Sequence, residues 1–398
     1  MKNFFNPCIT YILLWCLYSL QGVLYESGTI ISQSLLLILL VWSARSCYLV
    51  NFKKKQPLPA FIKAVNVFLI MATIYGSLLM LSGQEFYITE GDIKKVTNFY
   101  YLKDIYISML PLYTFYYYSQ KRYIKKEHLF YLLLLFVLIT WALFFQNYAN
   151  MLATAIAKGS TREEFTNNIG YSFVALFPLL LLCNKKPLLQ YILAFICICG
   201  IIMSMKRGAM AVGTCCFIYF IYTALKSTKG YAKALIVLIS IVAIIATYYY
   251  VVNMLETSDY FVRRINDTLE GNASARNIIY ARLWNTFINE PNLLKVLFGR
   301  GANATLTVGI NYAHNDWLEL LTNQGILGVI VYINYFVAIL KDARRLRGIN
   351  TLYSHVLYIS FFILFLKTIF SMSYASIEYE QMLAIGLALG ATKQNCTV

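Results

Sequence analysis

The sequence predicts an all-α polytopic membrane protein with about 12 transmembrane helices and one large loop between helices 9 and 10. Three observations carry this reading. The 398 residues are 59% hydrophobic and only 13% charged, with a mean hydropathy of +0.60; a soluble domain is about half apolar and about a quarter charged. The apolar excess is gathered in blocks, most of them long enough to cross a bilayer as a helix. The charges between the blocks segregate by side.

The blocks fall at about 8–25, 28–50, 62–82, 104–120, 129–147, 169–183, 188–204, 208–225, 231–252, 324–340, 353–372 and 377–392, the sixth and twelfth being short. If the N-terminus is inside and the spans alternate, the inside loops are NFKKKQPLP, KRYIKKEH, NKKP, KSTKGYAK and KDARRLRG. The inside then carries 20 Lys and Arg but only two acids, Glu127 and Asp342, while the outside carries 13 basic and 16 acidic residues. That is the positive-inside bias. The reverse orientation would translocate every basic cluster. Insertion therefore explains the net charge of +16, and no nucleic acid is needed.

The organisation that follows is residues 1–252 for helices 1–9, residues 253–323 for a loop subdomain, and residues 324–398 for helices 10–12 with a short inside tail. In the large loop, ARNIIYARLWNTFI has apolar residues at 279, 280, 283, 284, 287 and 288. That is a helical period, and Pro291 ends it. FGRGANA reads as a glycine turn. Function is expected outside, where the long loops are. The 33 tyrosines fit two readings, an interfacial belt or stacking surfaces for sugars. Eight of the nine cysteines, at 8, 16, 47, 183, 197, 199, 215 and 216, fall in or beside apolar blocks without zinc-site spacing and read as small hydrophobes.

Few residues can carry chemistry. His128 and His355 lie beside inside basic clusters; only His314 faces outward, where the large loop enters the tenth span. Histidine accepts a proton near neutral pH, but a lone histidine is more often structural. Asp316 and Glu319 have the D-x-x-E form of a capping box. Asn315 can hold a sugar hydroxyl or the loop backbone. Gly325 and Gly328 read as small residues that admit a neighbouring helix. Lys206 and Arg207 sit in a tight outside turn, against the charge bias. Arg276 and Arg282 lie on the loop helix and Arg300 stands between two glycines. Guanidinium forks suit phosphate, so arginines converging at the bilayer boundary would bind a lipid pyrophosphate; ordinary surface charge is the alternative. Lys367, inside the eleventh span, is a functional candidate or a snorkelling lysine. No metal-binding motif emerges.

These motifs resemble the O-antigen ligase/polymerase family of bacterial envelope proteins. His314-Asn315, nine residues, and Gly325-x-x-Gly328 look like its H-[NSQ]-x9-G-x-x-G signature. SARNIIYARLWNTFINEPNLLKVLFGRG is similar to its upstream run, with Arg276 on the arginine, Tyr280 where tryptophan is usual, Pro291 on the proline, and Gly299 and Gly301 on the glycines. MKRGA resembles its Ser-Arg-Gly turn, with Arg207 on the arginine and Lys206 in place of serine; Ala275 replaces a glycine. The resemblance implies a GT-C-like fold and a metal-independent, inverting glycosyltransferase without a cofactor. Its donor would be a glycan on undecaprenyl pyrophosphate, used at the periplasmic face of the inner membrane, with both termini cytoplasmic. Arg207 and Arg276 would grip the pyrophosphate and His314 would activate the acceptor hydroxyl, with Lys206, Tyr280, Arg282, Arg300, Asn315, Asp316 and Lys367 as supporting candidates. Flippase and chain-length regulator proteins would be partners. The expected activity is a polysaccharide polymerase extending a lipid-linked repeat unit. Alternatives are an O-antigen ligase acting on lipid A–core and a flippase moving lipid-linked sugar without chemistry.

Overall fold

The computed structural model describes residues 6–390 apart from 54–56, 90–92, 160–164, 184–186, 228–229, 261, 263–265, 267–275 and 310. Ala275 of the arginine motif and Lys54, Lys55, Lys185, Lys186 and Lys229 of the basic loops lie outside the described residues. Elsewhere the chain is a bundle of helices with one small hairpin.

Eleven helices come first: α1 (Pro7–Ser19), α2 (Ile30–Phe52), α3 (Ala60–Ser82), α4 (Phe99–Met109), α5 (Pro111–Gln120), α6 (Lys126–Ala157), α7 (Gly170–Ala175), α8 (Phe177–Leu182), α9 (Pro187–Met203), α10 (Arg207–Ser227) and α11 (Tyr231–Thr257). Six more follow: α12 (Arg276–Ile288), α13 (Leu293–Phe298), α14 (Thr305–Val308), α15 (Asp316–Arg347), α16 (Thr351–Phe370) and α17 (Tyr379–Leu389). Among the described residues six helices are long and apolar enough to cross a membrane: Ile30–Phe52, Ala60–Ser82, His128–Ala157, Arg207–Lys226, Asp316–Arg347 and Thr351–Phe370. Pro7–Ser19, Gly170–Leu182 and Pro187–Met203 are shorter apolar helices. This is a multi-pass membrane protein.

Two expected spans are broken. The 104–120 block divides into α4 and α5 with Pro111 opening the second piece, and the 169–183 block divides into α7 and α8 with Pro178 in the first turn of α8. Proline lacks the N–H that would continue the ladder and its ring collides with the preceding turn, so each break falls where proline can start a new helix. The segment between the third and fourth expected spans contains the antiparallel strands β1 (Phe86–Ile88) and β2 (Lys94–Val96), with Phe86 opposite Val96. Phe86 turns inward onto Leu79, Ala302 and Leu306.

The helices start and stop for local reasons. Asn6 caps α1, its Oδ1 accepting from the Cys8 and Ile9 amides, and Asn350 caps α16 through Leu352 and Tyr353; each satisfies amides that have no partner inside the helix. Gly83, at φ 61°, ends α3 in the left-handed conformation that glycine adopts freely. Asp342, one of the two acids expected at the basic end, is buried and accepts the Phe61 amide at 2.8 Å. It caps α3 from α15, where a carboxylate favours the helix N-terminus.

The core forms where α15 packs on α3 and α16, and where α17 packs on α5. It is rich in aromatic rings: Trp317, Tyr332, Phe336 and Phe365 meet at centroid distances from 4.8 to 6.2 Å, the spacing at which edge contacts are favourable. Tyrosines 11, 113, 116, 118, 171, 191, 332, 335, 374 and 379 are buried. These belong neither to an interfacial belt nor to an exposed sugar-stacking surface. Most enter the core because hydroxyl partners wait there, as Ser43 does for Tyr11 at 2.5 Å.

One further expectation changes. Cys215 is exposed on the bundle surface rather than packed inside. Glu380, on α17, is buried as Lys367 is.

Candidate functional site

The polar residues gather at the end of the bundle from which α10 and α15 begin, beneath the α12–α14 loop. The centre is the turn before α15. His314 has φ 52°, a left-handed conformation that costs a non-glycine residue free energy and persists only where neighbours impose it. The neighbours are explicit. On one side the Ala313 amide donates to Glu319 Oε1 at 2.5 Å; on the other, Asn315 Oδ1 accepts from the Trp317 amide at 3.0 Å and the Leu318 amide at 3.2 Å.

The cap is therefore one residue earlier than expected. Asn315 is the N-cap and Asp316 the first helical residue. Glu319 reaches Ala313, two residues before the cap, rather than the cap's own amide. Freed from capping, the buried Asp316 carboxylate ties α15 to the turn after α16: the Ser373 amide donates to its two oxygens at 2.9 and 3.1 Å, the Tyr374 amide to Oδ2 at 3.3 Å, and the Tyr332 hydroxyl to Oδ2 at 2.5 Å. Helix α15 also starts at Asp316, well before the expected 324.

Gly325 and Gly328 do more than seat a helix. Gly325 (φ 66°, ψ −160°) breaks α15. The break leaves the Thr322 and Asn323 carbonyls without in-helix donors, and the Arg300 and Gly301 amides take their place at 2.9 and 3.0 Å. A Cβ at 325 would lie 2.5 Å from the Gly299 nitrogen and 2.6 Å from the Leu297 carbonyl carbon, so only glycine allows the loop to dock there. A Cβ on Gly328 would meet Gln324 Cβ at 2.5 Å in its own helix; this glycine accommodates the break rather than a neighbouring helix. The segment 316–324 is thus anchored separately. Asn323 Oδ1 accepts from the Thr305 amide and hydroxyl, each at 3.0 Å, and Gln324 donates to Tyr101 at 2.7 Å.

Helix α12 lies against this turn through Ile279, Leu283 and Ala313. The expected apolar face is only partly covered, since Trp284 and Ile288 are exposed. Tyr280, on that helix, lies beside the side chains of Asn315 and Arg276. Burial holds its hydroxyl above the ordinary tyrosine range, against the opposing pull of Arg276 and Asn315. One turn before Tyr280, Arg276 Nη1 donates to the Phe370 carbonyl at 3.1 Å. The Phe370 side chain packs on Gly208, which follows Arg207. The turn before α10 is held in turn: the Asn167 amide donates to the Ser204 carbonyl at 2.7 Å, the Lys206 amide to Ser204 Oγ at 3.2 Å, and Met205 takes φ 50°. Lys206 and Arg207 are half-buried.

The structure thus brings His314, Asn315, Tyr280, Arg276 and the Arg207–Gly208 turn into one connected set. Lys367 joins from below: it is buried, Nζ donates to the Ser376 carbonyl and lies 5.2 Å from the Tyr171 ring centroid. Asp316 and Glu378 attract it, so it does not snorkel. Two expected arginines do not join. Arg282 is exposed on α12 and Arg300 pairs with Glu290. Arg300 instead borders an apolar groove of about 760 Å³ between α3 and α15, lined by Met71, Tyr75, Leu79, Phe298, Leu327 and Val331 among others. Tyr171, Phe370 and Glu378 are the site residues the sequence reading missed. Each lies in or beside an apolar run, and the fold alone brings them to the arginines.

Compared with known families, residues 192–333 match the model described as O-antigen ligase (Wzy_C). Over that stretch the chain is similar to the O-antigen ligase/polymerase family. It runs from α9 to the broken helix α15 and so includes Arg207, Arg276, His314, Gly325 and Gly328. Members of this family are glycosyltransferase-like O-antigen ligases and polymerases. No curated protein matches the chain.

Proposed function

We propose that this chain is a glycosyltransferase that transfers a glycan from undecaprenyl pyrophosphate to the hydroxyl of a lipid-linked repeat unit, as a polysaccharide polymerase. The observation that carries the reading is Arg276. Through Tyr280 it is joined to the His314–Asn315 turn, and through Phe370 to the Arg207–Gly208 turn. A base and two guanidinium groups thus share one end of the bundle.

The chemistry follows from that set. The acceptor hydroxyl oxygen attacks the anomeric carbon as the bond from that carbon to the pyrophosphate oxygen breaks. His314 takes the hydroxyl proton, and undecaprenyl pyrophosphate leaves. Negative charge grows on the leaving phosphate, where Arg207 and Arg276 stabilise it. Attack on the face opposite the leaving group inverts the anomeric centre. The side chains supply the cations the leaving group requires, so the reaction needs no metal. The basic residues of the 121–125 turn and of the last turns of α15 lie at the other end from His314, and the positive-inside bias then supports a periplasmic site with cytoplasmic termini in a bacterial inner membrane.

Ligation to lipid A–core is the second reading, favoured by the description of the matched family. One assay separates the readings. Purified protein is given lipid-linked repeat units alone, then with lipid A–core. Polymer formed without core supports the polymerase; product that requires core makes it a ligase. Lipid-linked sugar that crosses proteoliposome membranes unconjugated would replace both with transport. His314→Ala is expected to insert normally and to abolish product, and wild-type product from that variant would remove the base from the mechanism.

A further inference from the structure

Tyr171 is 5% exposed, and its hydroxyl has no hydrogen-bond partner among the described residues. A buried hydroxyl left without a partner is costly, so the position calls for an explanation. Its surroundings give one. The hydroxyl lies directly over Gly208, where even a Cβ would overlap it. The Arg276 guanidinium acts on it electrostatically, and the Lys367 ammonium stands 5.2 Å from the centre of its ring.

Gly208 and Ala209 lie in the first turn of α10, a helix of 21 residues. Amides in a first turn have no partner inside their own helix, and the aligned peptide dipoles place partial positive charge there. Such an end favours phosphate. A phenol hydroxyl that meets this turn beside one guanidinium and one ammonium group can donate a proton as well as accept one. The two cations and the helix start around it favour an anionic acceptor.

We propose that Tyr171 and the first turn of α10 bind a phosphate oxygen of the diphosphate, with Tyr171 as a hydrogen-bond donor, and that Gly208 is small so that the hydroxyl can reach this place. The proposal rests on the reading of Arg207 and Arg276 as the pyrophosphate site and adds the neutral donor that fixes the anion's orientation. The guanidinium forks supply charge and paired bonds; a phenol held by packing adds one more directed bond.

The test uses the full-length protein in detergent and inorganic pyrophosphate as the probe, with binding followed by calorimetry. Tyr171→Phe is expected to weaken pyrophosphate about tenfold or more, the loss of one hydrogen bond to a charged group, without lowering the thermal unfolding midpoint. Gly208→Ala displaces the same hydroxyl and is expected to weaken binding similarly. The double variant is expected to bind about as weakly as either single one, since both remove one interaction. In the transfer assay, Tyr171→Phe should raise the KM for the lipid donor. If Tyr171→Phe binds pyrophosphate as wild type does while Arg276→Ala does not, the Tyr171 proposal falls and the anion site stands. If Arg276→Ala binds normally, or the wild type shows no saturable binding, the pyrophosphate site itself is misplaced.

Discussion

Replacing Gly325 by alanine tests whether the break in α15 holds the site together. The backbone at 325 has φ 66° and ψ −160°, a region open essentially to glycine alone. Forcing a side chain into it costs roughly 1–3 kcal/mol. The added Cβ would also stand 2.5 Å from the Gly299 nitrogen, so the 297–301 turn must retreat. Retreat sacrifices the bonds from the Arg300 and Gly301 amides to the Thr322 and Asn323 carbonyls, each worth about 0.5–1.5 kcal/mol net. Strain and lost bonds together give a destabilisation of roughly 2–6 kcal/mol. Gly83→Ala is the control, since Gly83 has φ 61° with nothing within 4 Å of the added carbon and should cost only about 1–2 kcal/mol. Unfolding of the purified variants in detergent, followed by tryptophan fluorescence and circular dichroism, measures the difference. Equal midpoints for the two variants would refute the argument, because only Gly325 has backbone packed against it. Gly325→Ala is further expected to lose transfer activity, since His314 sits on the segment the turn anchors.

Other substitutions test other contacts. Arg276→Lys keeps the charge but loses the planar fork, so transfer should fall at least tenfold with a raised KM for the lipid donor; full activity would move the phosphate site away from α12. Asp316→Asn retains one acceptor oxygen in place of a carboxylate shared by Ser373, Tyr374 and Tyr332. It should destabilise the protein by about 1–3 kcal/mol and expose the 371–378 turn to limited proteolysis. A variant with an unchanged midpoint and cleavage pattern would show that α15 is not held to that turn through Asp316.

What could be read from the sequence follows physical scale. Helix α12 was legible because its apolar residues recur at 3.6-residue spacing and Pro291 cannot continue it. The breaks at Pro111 and Pro178 were open to the same proline argument, but the apolar runs around them read as continuous. The cap before α15 was displaced by one residue because Asn315 and Asp316 are adjacent and both cap well; only the tertiary demand of the Ser373 and Tyr374 amides separates their roles. Gly325 in an apolar run reads as a packing residue, and nothing local announces that a distant Gly299–Gly301 turn will complete its ladder. The hairpin of β1 and β2 has three residues in each strand, too few for a period. Tyr171 could not be singled out among 33 tyrosines, because its significance lies in meeting a helix start and an arginine remote in sequence.

The division of α15 at Gly325 bears on how such a site tolerates its membrane. A continuous helix of 32 residues would carry any tilt imposed by bilayer thickness straight to His314. Here residues 326–347, with Ile330, Ile333 and Val337 exposed, continue the helix beyond the break, while 316–324 is fixed by Thr305, Tyr101, Ser373 and the Arg300–Gly301 amides. Tilting to relieve a mismatch of hydrophobic length then meets a break in the helix before it reaches the histidine. The same sequence can therefore hold its histidine steady in thinner or thicker bilayers, and the dependence of activity on acyl-chain length should be shallow.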